Sequence, residues 1–390
     1  MIKVIVDATP ITAQPSGVGF HVSQLIKYLA REQKQTRIEL SIFYQPTFQK
    51  WLRRDFSLPD LIDTEQLQNK VIFPYPVRVS NWISSNTPQL YPWLLDRKLQ
   101  SYDLFHGTNF GVYPDRQTNK IMNLYDLAFL CWPQYVDSVV AKYEQRVRQC
   151  LPWTKAIIVS SQSTKQDVVE YLAISPEKIW VTPLASRYSK NYLAGLDLEA
   201  LQQQQAYDFQ QPYIFFLSTI EPRKNILTLI KAFNYLKQKH RIDHNLVLVG
   251  GKGWQYQPIF AEIARSPYQA QIYHLNYLSD RAVALFYKLA SVFVYPSYYE
   301  GFGLPILEAM TLGAPVVCSN TSALPEVAGD AALLFDPQQP LELAEAILKI
   351  IESPSLRDCL IEQGYQQAAK FSWASTAQKT IEAYRAIGKS

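Results

Sequence analysis

The sequence predicts an α/β protein built from two doubly wound domains, and three observations predict it. The chain has 390 residues, more than one domain usually holds. Short β-branched runs alternate with longer stretches of helical period, and the alternation occurs twice. The short runs are almost continuously apolar, as parallel strands covered on both faces must be.

In chain order, IKVIVD reads as the first strand, followed by a glycine-bearing loop and the helical stretch HVSQLIKYLARE. IELSIFY, DLFHG, KIMNLYD and KAIIVSS read as further strands, QSTKQDVVEYL as a helix with Ser/Thr at its start, and KIWVTPLA as the next strand. Residues 1–190 make the first domain. The Gln-rich stretch 191–211 lacks strand signals and reads as a linker. A second series fills 212–373: strands YIFFLST, NLVLVGG, QIYHLNYL, SVFVYPS, PVVCSN and AALLFDP, with helices ILTLIKAFNYLKQK, RAVALFYKLA and ILEAMTLG among them. A last helix occupies 374–390. In such folds ligands lie at the carboxyl ends of the strands.

Composition narrows the function. A hydrophobic share of 48% and a charged share of 18% describe a globular chain. The net charge of +4 is too small to make nucleic acid the main partner. Residues 1–190 carry 22 Lys/Arg against 16 Asp/Glu. That excess suits an anionic acceptor or a peripheral membrane contact, and ordinary surface charge is the bland alternative. Cys131, Cys150, Cys318 and Cys359 are scattered and read as reduced thiols of a cytoplasmic protein. No signal peptide and no apolar run of about 18 residues is visible. The histidines form no metal-ligand spacing, so no metal and no cofactor are expected.

Four constellations could carry chemistry. Gly17-Val18-Gly19 follows the first strand but has Val22 where a dinucleotide loop has its third glycine. A plain turn and a phosphate or sugar contact are equally open there. Arg223 and Lys224 follow the strand YIFFLST, where two adjacent cations can hold a diphosphate. Gly250-Gly251 ends the strand NLVLV, where a nucleotide contact and a structural turn are both open. The run from Pro296 to Pro337 is the most specific. It sets Glu300 and Glu308 around the turn Gly301-Phe302-Gly303-Leu304, and Pro305 suits the first turn of a helix. Such a turn offers backbone N–H groups and the positive end of a helix dipole to a diphosphate. Glu308, one turn in, can face a ribose, and Glu300 the transferred sugar or the departing diphosphate. His106, at a strand end, is a candidate substrate contact, with a core role equally open.

These segments resemble glycosyltransferase family 4, the retaining nucleotide-sugar-dependent enzymes of the GT-B fold. That fold has two Rossmann-like doubly wound domains facing a central cleft. The resemblance runs from the loop at 17–19 to the Trp373 region. It implies that Arg223 and Lys224 hold the diphosphate, that Glu308 binds the ribose and that Glu300 lies near the donor sugar. It also implies that the backbone of Gly301, Phe302, Gly303 and Leu304 contacts sugar and phosphates, and that Asn276, Tyr277 and Leu278 line the base. The last helix of such enzymes crosses back onto the first domain. One departure stands out. Similar enzymes often carry His-Asp where this chain has Tyr125-Asp126, and tyrosine cannot carry a proton near neutral pH as imidazole does.

The expected function is retaining transfer of a hexosyl unit from a nucleotide diphosphate-sugar, of the GDP-mannose or UDP-hexose type, to a hydroxyl of a glycan or lipid-linked acceptor. Gly17, Gly19, Asp126 and Gly251 join the expected donor contacts, and Tyr125 and His106 the candidate substrate contacts. The expected setting is polysaccharide or glycoconjugate synthesis in the cytoplasm or at the inner face of the membrane. A catalytically inactive nucleotide-sugar-binding partner protein and a sugar-nucleotide epimerase are the rival readings.

Overall fold

A computed structural model describes residues 1–12, 17–59, 67, 69–87 and 91–388. The chain forms two compact units. One comprises residues 1–133, 138–184 and 372–390, the other residues 134–137 and 185–371.

The first unit is built on a seven-stranded parallel sheet. Its strands are β1 (Ile2–Asp7), β2 (Ile38–Tyr44), β3 (Asn69–Ile72), β4 (Leu104–Gly107), β5 (Asn119–Leu124), β6 (Ala156–Val159) and β7 (Ile179–Val181). They lie in the order β3-β2-β1-β4-β5-β6-β7, so the winding reverses between β1 and β4. The helices Gly17–Thr36 and Trp373–Gly388 pack against each other on one face. There Val22, Leu25 and Ile26 of the first and Ala377, Ile381 and Tyr384 of the second close the core over Val4, Val6, Leu104 and Ile158. Pro183, with no N–H to give the ladder, stands just beyond the end of β7. β3 escapes the sequence pattern because it is a four-residue edge strand with no fully buried residue.

The second unit carries a six-stranded parallel sheet. Its strands are β8 (Tyr213–Leu217), β9 (Asn245–Val249), β10 (Ile272–Leu275), β11 (Val292–Tyr295), β12 (Val316–Ser319) and β13 (Ala332–Phe335). Their order is β10-β9-β8-β11-β12-β13, and the winding reverses between β8 and β11. Every residue of β9, β11 and β12 is buried, which accounts for the apolar runs Leu246–Val249, Val292–Tyr295 and Val316–Cys318 within them. Residues 191–211 belong to this unit. They contain the helix Leu198–Gln203, capped by Asp197, and Tyr207, which is buried against Tyr213 and Phe286.

Behind β11 runs the helix Leu304–Leu312, whose residues Ile306 to Leu312 are all buried. Gly303 caps it at φ 113°, a left-handed conformation that glycine adopts without strain. A Cβ there would also stand 2.9 Å from Cδ2 of Leu324. Pro305 sits in the first turn, where its missing N–H costs nothing.

Candidate functional site

The reversal between β8 and β11 is where a doubly wound sheet opens a crevice at its carboxyl edge. The two strands that flank it deliver the charged residues of the site. After β8 the chain makes a single 3-10 turn, Pro222–Lys224, closed by Asn225 in the left-handed conformation at φ 54°. The amide of Asn225 holds the turn by donating to the carbonyls of Pro296 (3.0 Å) and Pro337 (2.8 Å). After β11 the chain runs through Pro296 to Glu300 and into the Gly303 cap.

Lys224 and Glu300 meet here across 76 residues of sequence. Lys224 Nζ stands 2.5 Å from Glu300 Oε1 and 3.1 Å from the Tyr295 hydroxyl. Arg223 Nη1 reaches Glu300 Oε2 at 3.2 Å and donates to the Tyr299 carbonyl at 2.7 Å, while its Nη2 pairs with Glu221 at 2.9 Å. Lys224 is only 6% exposed. Burial alone would raise the Glu300 carboxyl, but Lys224 and then Arg223 override it and hold the group down to about 2. Burial and then Arg223 lower the Lys224 ammonium, but Glu300 outweighs them and leaves it raised. Both groups are therefore ionised at neutral pH.

This coupling carries a pH dependence of stability. A carboxylate whose pKa is depressed in the folded state contributes fully above its unfolded value near 4.5 and loses that contribution as pH falls toward about 2. The contribution is roughly 3 kcal/mol. Urea unfolding of Glu300→Gln followed from pH 5 to pH 2.5 is expected to show about 2 kcal/mol less acid sensitivity than the wild type, because part of the loss falls below that range. Equal slopes in the two proteins would remove Glu300 from the ion cluster.

Beside this cluster, the backbone N–H groups of Phe302, Gly303 and Leu304 make no hydrogen bond with another described residue. They leave three donors at the positive end of a buried helix, an arrangement suited to phosphate oxygens.

The remaining second-unit candidates follow one another along the same sheet edge. Gly251 lies beyond β9. Asn276, Tyr277 and Leu278 lie beyond β10, where Tyr277 is 88% exposed. Strands spaced about 4.8 Å apart put β10 and β11 about 14 Å apart. That is roughly the length of an extended nucleoside diphosphate.

Glu308 departs from the expectation of a carboxylate open to a ribose. It is 2% exposed, its Oε1 accepts from Arg187 Nε at 2.7 Å, and Tyr287 donates to its Oε2 at 3.4 Å. Arg187 also reaches Asp280 at 3.3 Å. Burial raises the Glu308 carboxyl and Arg187 offsets this only in part. Arg187, Tyr287 and Tyr295 escape sequence reasoning, whereas Glu221 stands in the same short segment as Arg223 and Lys224. The tyrosines read as core apolar positions, and Arg187 precedes the stretch read as linker.

The candidates in the first unit gather at the carboxyl ends of β1, β4 and β5. Gly17 and Gly19 open the helix Gly17–Thr36, Gly17 exposed and Gly19 buried. Asp126 turns back to accept from its own Ala128 N–H at 3.1 Å. His106, a candidate substrate contact by sequence, is fully buried and spends both ring nitrogens inside the fold. Asn123 Oδ1 lies 2.7 Å from Nε2 and the Tyr384 hydroxyl 2.7 Å from Nδ1. With the amide oxygen as acceptor, Nε2 carries the proton and Nδ1 accepts from Tyr384. Burial lowers the imidazole to about 4, so it stays neutral. Asn123 in turn donates to the Tyr125 hydroxyl at 3.4 Å, and that hydroxyl donates to the Thr108 carbonyl at 2.8 Å. A buried chain of hydrogen bonds thus runs from the last helix to Tyr125. His21 packs edge-on to Tyr125 with ring centroids 5.4 Å apart, and burial lowers its imidazole to about 3.

Among the described residues no group of three His, Cys, Asp or Glu side chains is placed to hold a metal ion. No helix among them is long and apolar enough to cross a membrane.

Residues 197–367 match the family described as Glycosyl transferases group 1. The chain is 31% identical over 391 residues to O-antigen chain mannosyltransferase B of Escherichia coli, covering 99% of this chain and 100% of that protein. Its fold superposes on sucrose-phosphate synthase from Thermosynechococcus elongatus with a TM-score of 0.72 at 18% identity, covering 99% of both chains. It also superposes on HepE from Anabaena, solved in complex with UDP-glucose, with a TM-score of 0.68 at 17% identity, covering 99% of this chain and 100% of that one. At such identities these two likenesses speak to the fold, which is GT-B. The full-length relationship and the family match together place the chain in the group 1 glycosyltransferases, glycosyltransferase family 4, as an enzyme that transfers a glycosyl unit from a nucleotide-sugar.

Proposed function

We propose that the protein is a retaining mannosyltransferase that uses GDP-mannose and extends a glycan or lipid-linked acceptor in polysaccharide synthesis. The observation that carries the donor site is the Arg223–Lys224–Glu300 cluster at the reversal between β8 and β11, beside three unspent N–H groups. The choice of mannose rests on the full-length relative, an O-antigen chain mannosyltransferase.

In this reading the base lies over Asn276, Tyr277 and Leu278, and the diphosphate over Gly251 and the Arg223 turn. Arg223 and Lys224 stabilise the negative charge that develops on the diphosphate as the sugar–oxygen bond breaks. The N–H groups of Phe302, Gly303 and Leu304 do the same from a fixed backbone. Glu300 orients both cations and stands near the donor sugar. No metal is required, because two side-chain cations and a helix terminus supply the charge. Glu308 reaches the ribose once Arg187 turns aside. The leaving phosphate takes the acceptor proton, so Tyr125 need only shape the sugar pocket. We further propose that the protein works in the cytoplasm, against the inner face of the membrane.

The test is a thermal-shift panel of GDP, UDP and their hexose conjugates in EDTA, with Arg223→Ala as control. A ligand at about 100 times its dissociation constant stabilises by about 2.7 kcal/mol. A shift for GDP-mannose that Arg223→Ala loses, followed by an α-linked product by NMR, is the expected outcome. A selective shift for a UDP-sugar would move the donor assignment. An inverted product would overturn the retaining mechanism.

A further inference from the structure

The Gln-rich stretch of the second unit builds a cavity that the donor chemistry does not use. The stretch begins with the helix Leu198–Gln203, which packs against the helix Asp280–Leu289. Leu198 and Leu201 are half-buried, while Glu199 and Gln203 face solvent. Beyond the helix the chain is pinned by the buried Tyr207. Its hydroxyl donates to the Gln211 carbonyl at 3.0 Å and accepts from the Asn245 amide at 3.2 Å. The half-buried Phe209 stands edge-on to the Tyr207 ring, with its centroid 4.8 Å from that of Phe286. Tyr207 also packs on Tyr213, and Tyr213 and Asn245 are the first residues of β8 and β9. The cavity therefore lies at the amino edge of the sheet, opposite the donor crevice. The five residues of β8 put about 17 Å between the two edges.

The cavity holds about 450 Å³. Four glutamine amides, two carboxylates and the Tyr207 and Phe209 rings line it, and no cation does. Two of the polar groups are fixed in place. Gln205 Nε2 donates to the Leu201 carbonyl at 3.0 Å, which leaves its amide oxygen unspent. Asp208 Oδ1 accepts from the Gln210 N–H at 3.0 Å, which leaves its Oδ2 unspent. Glu199, Gln202, Gln203 and Gln210 spend no side-chain hydrogen bond on another described residue. Two carboxylates without a cation repel phosphate and nucleic acid. Among the described residues no three acidic or other metal-binding side chains gather, here or elsewhere. Four amides are too polar a lining for a lipid. What they match is a hydroxyl-rich ligand, because an amide, like a hydroxyl, both donates and accepts, and a carboxylate accepts. The Phe209 ring adds an apolar surface for the C–H face of a sugar.

We propose that this cavity is a second glycan-binding site, which holds a neutral polysaccharide chain away from the donor crevice. Polysaccharide synthesis supplies such a chain. With one stretch of it held at the amino edge, its end returns to the crevice at a raised effective concentration. A short acceptor cannot span the two edges and gains nothing. The site rests on the polysaccharide setting, and depends neither on which sugar is transferred nor on the diphosphate grip.

The experiment is affinity electrophoresis of the full chain, without donor, through gels cast with and without α-mannan. The wild type is expected to be retarded by the polysaccharide. One hydrogen bond is worth roughly a factor of five. The pair Gln203→Ala, Gln210→Ala takes one amide from the helix and one from the pinned segment, and is expected to weaken binding about 25-fold. Both positions are exposed, so the fold stands without them. The pair Gln363→Ala, Gln366→Ala on the helix Pro354–Ala368 makes the same change elsewhere and is expected to be retarded as the wild type is. The Gln203, Gln210 pair is also expected to extend a short oligosaccharide at the wild-type rate and a long chain more slowly. An unretarded wild type would overturn the site. Retardation of the Gln203, Gln210 pair equal to the wild type would assign the mannan to the acceptor cleft and overturn it as well. Equal slowing on short and long acceptors would do the same, by showing a structural effect. Glu199→Gln with Asp208→Asn removes the charge and keeps the hydrogen-bonding oxygens, so retardation is expected to persist. Preferential binding of a Lys-rich peptide, lost in that pair, would overturn the glycan in favour of a basic partner. A protein that transfers sugar yet passes through mannan unretarded would lose this site and keep the transferase reading. One that holds mannan through these residues but never transfers would do the reverse.

Discussion

Lys224→Ala is expected to lower both turnover and stability sharply, whereas Arg223→Ala is expected to lower turnover with a far smaller loss of stability. Removing a donor aimed at developing charge typically costs 10²–10³ in rate, about 2.7–4 kcal/mol, and that range is expected for each variant. The stability effects differ because the environments do. Lys224 is buried, and its ammonium is the closest partner of a buried carboxylate. Its removal leaves Glu300 with Arg223 as its remaining cation and is expected to cost about 3–5 kcal/mol. Arg223 reaches Glu300 at the longer distance of 3.2 Å, and Lys224 remains when it is lost, so about 1–2 kcal/mol is expected. Initial rates at saturating donor and urea unfolding at pH 7 separate the two quantities. Wild-type turnover in Arg223→Ala would move the diphosphate away from this turn.

Arg187→Ala is expected to destabilise the protein by about 3 kcal/mol, the lower end of the range for breaking a buried pair. The lower end applies because the Arg187 side chain keeps 31% of its exposure while Glu308 keeps 2%. The diagnostic result is rescue. Adding Glu308→Gln to Arg187→Ala should recover most of the loss, since a carboxamide carries no charge to leave unpaired. Urea unfolding of the two single variants and the double variant measures the coupling directly. Additive losses would mean that the 2.7 Å contact carries no net coupling.

The fold was legible because its strongest signals are local. β9, β11 and β12 carry the apolar runs Leu246–Val249, Val292–Tyr295 and Val316–Cys318, and parallel strands buried on both faces require such runs. The helix Leu304–Leu312 announces itself by Gly303 before it and Pro305 in its first turn. β3 and the helix Phe48–Leu52 were not legible. The first is a short edge strand, and the second buries nothing, so neither writes a periodic pattern into the sequence. The candidate site was legible by residue type more than by contact. Arg223, Lys224 and Glu300 stand out as charges at strand ends, yet no spacing in the chain says that Lys224 would meet Glu300 rather than Glu308.

The sequence by itself determined the two series of parallel strands, the glycine turn before a helix and the cation pair after a strand. Each of these depends on residues within a few positions of one another. The tertiary structure alone decided the partners. Lys224 reaches Glu300 across 76 residues, Arg187 reaches Glu308 across 121, and Tyr384 reaches His106 across 278. Such pairings follow from which strand ends the winding brings side by side and which helix returns over which sheet. They also follow from burial, which forces each charged or polar group to take whatever partner the fold places within reach.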